Sequence, residues 1–341
     1  MKLIAASSLL SSTFAFNTIG EIITSLEGKV SWQVGESSKW DTEKTASHYS
    51  YLFGTLMDDT HDDLPIREDD YEIADSDIPA NFDSRTQWGD ICPSINEIRD
   101  QASCGSCWAF GSAEAFSDRV CIATNGAYSQ DLSAEDILSC CHTCGMGCNG
   151  GYLWAAWNYF NSTGIVSGGL YDGTGCRPYS IAPCDHHVET PTDLPNCADV
   201  PNSSTPRCSR KCVNGDNYSQ DKHFTKNAYK VGGLNARKRM SVIQKEIMTN
   251  GPVEAAFNVY EDFMAYTGGV YYHQTGDFEG GHAIKIIGWG TDDTDGDYWI
   301  IANSWNPHWG ENGFFRMRRG NNECNIEAKV YAGEYDADRS N

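Results

Sequence analysis

The sequence predicts an α+β protein whose first half is helical and whose second half is built of strands. Two observations carry that expectation. The run Trp108-Ala109-Phe110-Gly111-Ser112-Ala113-Glu114-Ala115-Phe116 interleaves large apolar and small residues in the way of a helix buried on several sides. Farther along, Val253 to Val259, Ala283 to Trp289, Tyr298 to Ala302 and Gly313 to Met317 alternate with the period of a strand. At 341 residues the chain is long enough for one two-lobed domain, or two small domains, together with processing segments.

Taken in order, Met1 to about Ala15 has one lysine, a short apolar stretch and small residues near Thr13 and Ala15, which is the composition of a secretory signal peptide over residues 1–15. It is too short to span a membrane, and no later stretch reaches the roughly 18 apolar residues a transmembrane helix needs, so a soluble mature protein is expected. Residues 16–77 hold only short amphipathic pieces, Ile19 to Leu26 and then Trp32 and Trp40, and lack a core of their own. Asp58 to Asp77 sets ten carboxylates against Arg67, and such a block reads as a solvated, mobile linker or pro-segment. The net charge of −22 makes nucleic acid and anionic membranes poor partners. Ser133-Ala134-Glu135-Asp136 before Ile137-Leu138 is a capping-box pattern that opens a short helix ending at Cys140-Cys141. Cys148-Asn149-Gly150-Gly151 opens a third helical stretch, Tyr152 to Phe160, and its paired glycines either form a plain turn or let a peptide backbone approach closely. Asn161, Asn202 and Asn217 stand in N-x-S/T sequons, which makes them glycosylation candidates on exposed turns.

The stretch from Gln101 to Phe110 carries the chemistry. It puts Cys107 after a glycine-containing turn at the head of the buried helix, where unpaired N–H groups and the positive end of the macrodipole favour thiolate over thiol. Gln101 can point an amide N–H at the same spot and, with the backbone N–H of Cys107, form an oxyanion hole. Cys104-Gly105-Ser106-Cys107 is also a C-x-x-C, open to reading as a redox pair, half a zinc site or two disulfide halves. Fourteen cysteines behind a signal peptide point to a disulfide framework whose connectivity the sequence leaves open. Far downstream, Gly280-Gly281-His282-Ala283 precedes one alternating run and Asn303-Ser304-Trp305 follows another.

Cys-Gly-Ser-Cys-Trp with a distant histidine and asparagine resembles the papain family of cysteine proteases. From Ile78-Pro79-Ala80-Asn81-Phe82-Asp83 onward the chain is similar to the cathepsin B branch of that family. The resemblance implies a papain-like two-lobed fold, with a helical left lobe, a β-barrel-like right lobe and the active-site cleft between them. It implies Cys107 as nucleophile, His282 as its proton partner, Asn303 as orienter of the imidazole, Gln101 as oxyanion donor and Trp305 as a shield over the His282–Asn303 bond. Residues 16–77 become a propeptide that lies along the cleft and inhibits it, and residues 78–341 the protease domain. The implied disulfides are Cys92–Cys121, Cys104–Cys148, Cys140–Cys208, Cys141–Cys144, Cys176–Cys212 and Cys184–Cys197, with Cys107 and Cys324 unpaired. Gly150 and Gly151 would pair with substrate main chain.

His282 lies farther beyond Cys107 than the roughly 130 to 150 residues of the simplest family members, and the surplus falls between Cys176 and Cys212. There Pro183-Cys184-Asp185-His186-His187 resembles the occluding loop, residues 183–197, whose histidines receive a substrate's C-terminal carboxylate; as a bare pair, His186 and His187 are solvent-facing or an adventitious metal site. The family's arginine–aspartate loop tether is missing, with His308 at the aspartate's position, while a His186–Asp100 tether is available. Matching Cys324-Asn325-Ile326-Glu327-Ala328-Lys329 to the family pattern puts Lys329 at the floor of the S2 pocket, where cathepsin B has a glutamate. The alternative has Lys329 pointing out and Glu327 or another group setting the pocket.

The implied function is that of an endopeptidase and peptidyl-dipeptidase, made as a zymogen in the secretory pathway for a lysosome, a vacuole or secretion. Its partners would be peptide and protein substrates and cystatin-type inhibitors, and it would act as a monomer with no metal or organic cofactor. Two other classes stay open. One is a catalytically dead papain-fold binding protein, although Cys107, His282, Asn303 and Gln101 are all intact. The other is a disulfide-rich or zinc-binding module built on Cys140, Cys141, His142, Cys144 and Cys148.

Overall fold

The structure, a computed structural model, describes residues 18–35, 43–186, 192–232 and 236–340. The signal-peptide stretch and His187 lie outside the described residues. The helices are α1 (Ile19–Leu26), α2 (Ser84–Trp88), α3 (Cys107–Ala123), α4 (Ala134–Cys140), α5 (Leu153–Ser162) and α6 (Ala236–Asn250). The strands are β1 (Gln33–Val34), β2 (Ile66–Arg67), β3 (Phe82–Asp83), β4 (Thr225–Val231), β5 (Val253–Tyr260), β6 (Tyr266–Gly268), β7 (Val270–Tyr271), β8 (Phe278–Asp292), β9 (Gly296–Ala302), β10 (Phe314–Arg318) and β11 (Val330–Tyr335). The class is α+β, as expected, and each of the four alternating runs lands on a strand.

Among the described residues nine strands form one sheet, eight of them in the order β2-β4-β11-β5-β8-β9-β10-β7 and the ninth, β3, paired with β8 off that path. One face carries an aromatic core that includes Phe257, Phe263, Trp289, Trp299, Trp305 and Trp309. A second core surrounds α3 and includes Trp108, Phe110 and Phe116, the last of which packs on Trp157 and Phe160 of α5. Helix α3 is buried from Cys107 to Cys121 because α4 and α5 pack on one side of it and β5, β8 and β11 on the other. It is therefore the spine shared by the two lobes. Helix α4 starts where the capping pattern puts it, with the Ser133 side chain accepting from the Asp136 N–H.

The N-terminal segment has no core of its own, and it borrows one. Thr18 and Glu21 form a reciprocal capping box on α1, whose buried Ile19, Ile22, Ile23 and Leu26 join the aromatic core of the second lobe. Trp32 packs beside Tyr266 and Tyr271, β1 pairs with β6, and β2 adds in parallel to β4.

The acidic run is largely exposed, as expected of a solvated stretch, yet several of its carboxylates are tied to cations of β4, α6 and the edge of β11. Asp62 meets Lys230 Nζ at 2.7 Å and the Tyr331 hydroxyl at 2.8 Å; Asp69 and Asp75 meet Lys245 Nζ at 2.8 and 2.6 Å; Asp59 meets Lys329. These cations are distant in sequence, so a local charge count could not register them.

Candidate active site

Cys107 begins α3 behind a turn that tolerates no side chain at Gly105, where a Cβ would stand 2.5 Å from the Cys148 carbonyl and 2.7 Å from that of Tyr51. Six disulfides are formed: Cys92–Cys121, Cys104–Cys148, Cys140–Cys208, Cys141–Cys144, Cys176–Cys212 and Cys184–Cys197. Cys104 is thereby taken out of the C-x-x-C, and Cys107 and Cys324 are free thiols. The zinc reading loses its ligands for the same reason, since Cys140, Cys141, Cys144 and Cys148 are all oxidised.

His282 stands on β8 and Asn303 just past the end of β9, two antiparallel neighbours whose register brings the two side chains together. His282 Nε2 lies 2.7 Å from Asn303 Oδ1, which leaves Nδ1 without a hydrogen-bond partner and available to the thiol. The Ala283 N–H, next to His282, points at the Cys107 sulfur. Trp305 covers the imidazole with ring centroids 4.9 Å apart. Gln101 is fully buried: its Oε1 accepts from Ser304 Oγ at 2.8 Å and Trp305 Nε1 at 3.2 Å. Two donors on that oxygen fix the amide, so Nε2 faces the Leu52 and Cys104 carbonyls at 3.0 and 2.8 Å.

Leu52 belongs to the N-terminal segment, and the residues after it run straight across the site. Thr55 Oγ1 is 3.3 Å from Cys107 Sγ. The Thr55 N–H donates to the Gly281 carbonyl at 3.0 Å, the Leu56 N–H to the Gly151 carbonyl at 2.9 Å, and the Gly151 N–H to the Gly54 carbonyl at 2.9 Å. A peptide backbone thus lies between Gly151 and Gly281 in extended pairing. Gly150 has φ +114, and a Cβ on Gly151 would meet the Trp108 ring at 2.5 Å. Sequence reasoning passed over Phe53 to Leu56; a glycine set among apolar residues was the available signal for a close backbone approach.

Under this cover burial is the largest influence on both titrating groups. Burial pushes the Cys107 thiol up, against hydrogen bonds from Thr55 and the Ala283, Gly54 and Trp108 backbone. Burial likewise lowers His282 to about 4, opposed by the Asn303 hydrogen bond and reinforced by His186. Burial thus favours the neutral thiol and the neutral imidazole, against the helix end and the hydrogen bonds that favour the thiolate. Desolvation outweighs the helix end as long as the segment excludes water.

The remaining candidate residues spread around this centre. His186 Nε2 is 2.7 Å from Asp100 Oδ1, and its ring stacks near Trp305 at 6.0 Å. Asn306 Nδ2 holds the Cys184 carbonyl at 2.9 Å at the base of the same loop. Lys329 Nζ lies on the Met57 carbonyl at 2.9 Å, while Glu327 accepts from Trp299 Nε1 at 3.1 Å inside the second lobe, away from the cleft. Asn202 and Asn217 are exposed. Asn161 departs from its expected exposed turn: it sits in α5, half-buried, with its amide donating to the Thr225 carbonyl at 2.9 Å. Beneath the site α3 carries Glu114, raised to about 7 by burial, and Glu254 of β5 is raised well above its usual range by burial, with Oε2 accepting from Trp157 Nε1 at 2.7 Å.

A profile described as "Papain family cysteine protease" matches residues 78–334. The chain is 55% identical over 267 residues to "Cathepsin B-like cysteine proteinase 4" of Caenorhabditis elegans, covering 77% of each. It is 46% identical over 345 residues to the "Gut-specific cysteine proteinase" of the same organism, covering 98% of this chain and 99% of the relative. Among solved structures, "proCathepsin B S9 from Trypanosoma congolense" superposes with a TM-score of 0.75 at 32% identity, covering 93% of this chain and 97% of that one. Procathepsin L 3 of Tenebrio molitor, at 21% identity and a TM-score of 0.64, shares the fold. Among the described residues no helix is long and apolar enough to cross a membrane. Profile, end-to-end relative and proenzyme superposition agree: the chain belongs to the papain family of cysteine proteases and is cathepsin B-like within it.

Proposed function

We propose that the chain is a zymogen, with residues 1–15 a signal peptide and 16–77 a propeptide, and that residues 78–341 hydrolyse peptide bonds through Cys107 and His282. The observation that carries this reading is the backbone pairing of Gly54 to Leu56 with Gly151 and Gly281 over the Cys107 sulfur, since a cleft that seats one extended peptide so can seat another. The family profile beginning at Ile78 and the proenzyme superposition support the same division.

Removing the segment readmits water and lifts the desolvation that holds the pair neutral. The proton then passes from Cys107 to His282 Nδ1. The thiolate attacks the scissile carbonyl, and the oxyanion takes the Gln101 amide, freed from Leu52, together with the Cys107 N–H; one such donor is worth about 3 kcal/mol. His282 gives its proton to the leaving amine and, as base, activates the water that cleaves the acyl-enzyme. Asn303 holds the ring in register, and Trp305 keeps water from that bond.

Dipeptide release from a carboxyl terminus is assigned to the Cys184–Cys197 loop, with His186 anchored on Asp100 and His187 beside it receiving the terminal carboxylate. Glycosylation is assigned to Asn202 and Asn217, whose surroundings are open. A relative named gut-specific supports secretion or delivery to a lysosome or vacuole. An epoxide thiol inhibitor decides the central claim: it labels Cys107 in acid-matured protein and not in the intact chain or in Cys107→Ala. Mature protein that neither takes the label nor cleaves a dipeptidyl fluorogenic substrate would refute it.

A further inference from the structure

Where the N-terminal segment leaves the site on the Gly151 side, its carboxylates sit on cations of the sheet. Lys329 Nζ donates to the Met57 carbonyl at 2.9 Å and pairs with Asp59 at 2.5 Å. Lys230 Nζ pairs with Asp62 at 2.7 Å, and the Tyr331 hydroxyl donates to the same carboxylate at 2.8 Å. The three side chains are neighbours by topology: Tyr331 of β11 is in register with Lys230 of β4, and Lys329 is the residue before β11. The strip reaches the site itself, because the Met57 side chain lies against Gly281, where a Cβ would meet it at 2.6 Å. A line of cations beside the cleft runs against a net charge of −22.

The two ends of the cleft can be told apart chemically. The leaving amine departs toward its proton donor, the His282 and Trp305 side, where Phe53 lies with ring centroids 6.2 Å from each. The acyl part of a substrate, N-terminal to the scissile bond, then extends over Gly151 and Gly281 toward Lys329. The segment covers that ground with Met57, Asp59 and Asp62, and its removal takes both paired carboxylates away.

We propose that Lys329, Lys230 and Tyr331 form an anion-recognition strip, and that the mature enzyme selects peptides carrying Asp or Glu at the second and more distant positions N-terminal to the scissile bond. This rests on the reading of the chain as a peptidase whose acyl side lies over Gly151. Basic residues at those positions are disfavoured by the same cations.

The test compares kcat/KM of acid-matured enzyme on two fluorogenic tetrapeptides that differ only in Glu or Gln at the second and fourth positions, at pH 6, where Glu is ionised. The expected preference for Glu is about tenfold at low salt, from two partly exposed ion pairs. It falls toward unity in 0.5 M NaCl and shrinks in Lys329→Met and, separately, in Lys230→Met. Equal cleavage of both peptides by the wild type overturns the strip while leaving the peptidase reading intact. Cleavage of neither peptide, with no epoxide labelling, overturns the peptidase reading itself. A Lys329→Met enzyme that binds the separate 18–77 segment more weakly but keeps the wild-type Glu preference shows a latch for the segment only, and the proposal fails.

Discussion

Gly54→Ala is the most direct probe of how the segment is held. A Cβ built at Gly54 stands 1.8 Å from the Gly105 oxygen, 2.4 Å from its carbonyl carbon and 2.8 Å from its Cα. All three are backbone atoms of the turn that presents Cys107. That turn cannot retreat, because the Gly105 N–H is bonded to the Cys148 carbonyl at 3.0 Å and Cys104 is disulfide-linked to Cys148. The segment must lift instead. Lifting it breaks the Thr55–Gly281, Leu56–Gly151 and Gly151–Gly54 backbone bonds. At about 1 kcal/mol net for each, the loss is about 3 kcal/mol, or roughly a hundredfold in affinity. The assay is inhibition of mature enzyme at pH 7 by the separate 18–77 segment, wild type against Gly54→Ala, with covalent labelling of Cys107 in the full-length chain as a second readout. A Ki within threefold of wild type, with labelling equally slow, would show that the close approach of Gly54 to Gly105 does not hold the segment.

Processing is expected to be fast at pH 4 to 5, slow at pH 7 and absent in Cys107→Ala, followed by gel electrophoresis. The Lys245 ammonium holds Asp75 below the usual carboxylate range, so this docking contact is still made at pH 4 to 5 and is lost only below that range, and it is not the contact that acid releases; equal processing of both forms would mean that another protease makes the cut. Glu114, raised by burial from 4.5 to about 7, costs stability as pH climbs across that interval, because the unfolded chain ionises first; the full penalty is about 3 kcal/mol above it. Glu114→Gln should therefore flatten the fall in Tm between pH 5 and pH 8, and an unchanged slope would rule Glu114 out as its source. Asp100→Ala removes the partner of His186 and should raise endopeptidase over dipeptidase activity severalfold, whereas a constant ratio of the two would detach the loop from that balance.

What the sequence determined by itself is what neighbouring residues encode. The start of α4 is written in the four residues Ser133 to Asp136, and the four alternating runs are strands because side chains two apart share a sheet face. Cys107, His282, Asn303 and Gln101 were legible because each sits in a short motif, with Cys107 at the start of α3, Asn303 just past β9 and His282 within β8. α6 was passed over, although Met240, Ile243 and Ile247 repeat at helical spacing, because its charged opening masks the pattern. The tertiary structure alone decided the fate of the acidic run, whose cations Lys230, Lys245 and Lys329 come from β4, α6 and the edge of β11. It alone shows the burial that opposes the helix end as well: the end of α3 favours a thiolate, yet Cys107 and His282 are fully buried, which pushes the thiol up and the imidazole down. A helix end acts over one turn and can be read from a few residues. Desolvation depends on everything that covers the atom, and here part of the cover comes from a segment some fifty residues upstream of the thiol it lies against.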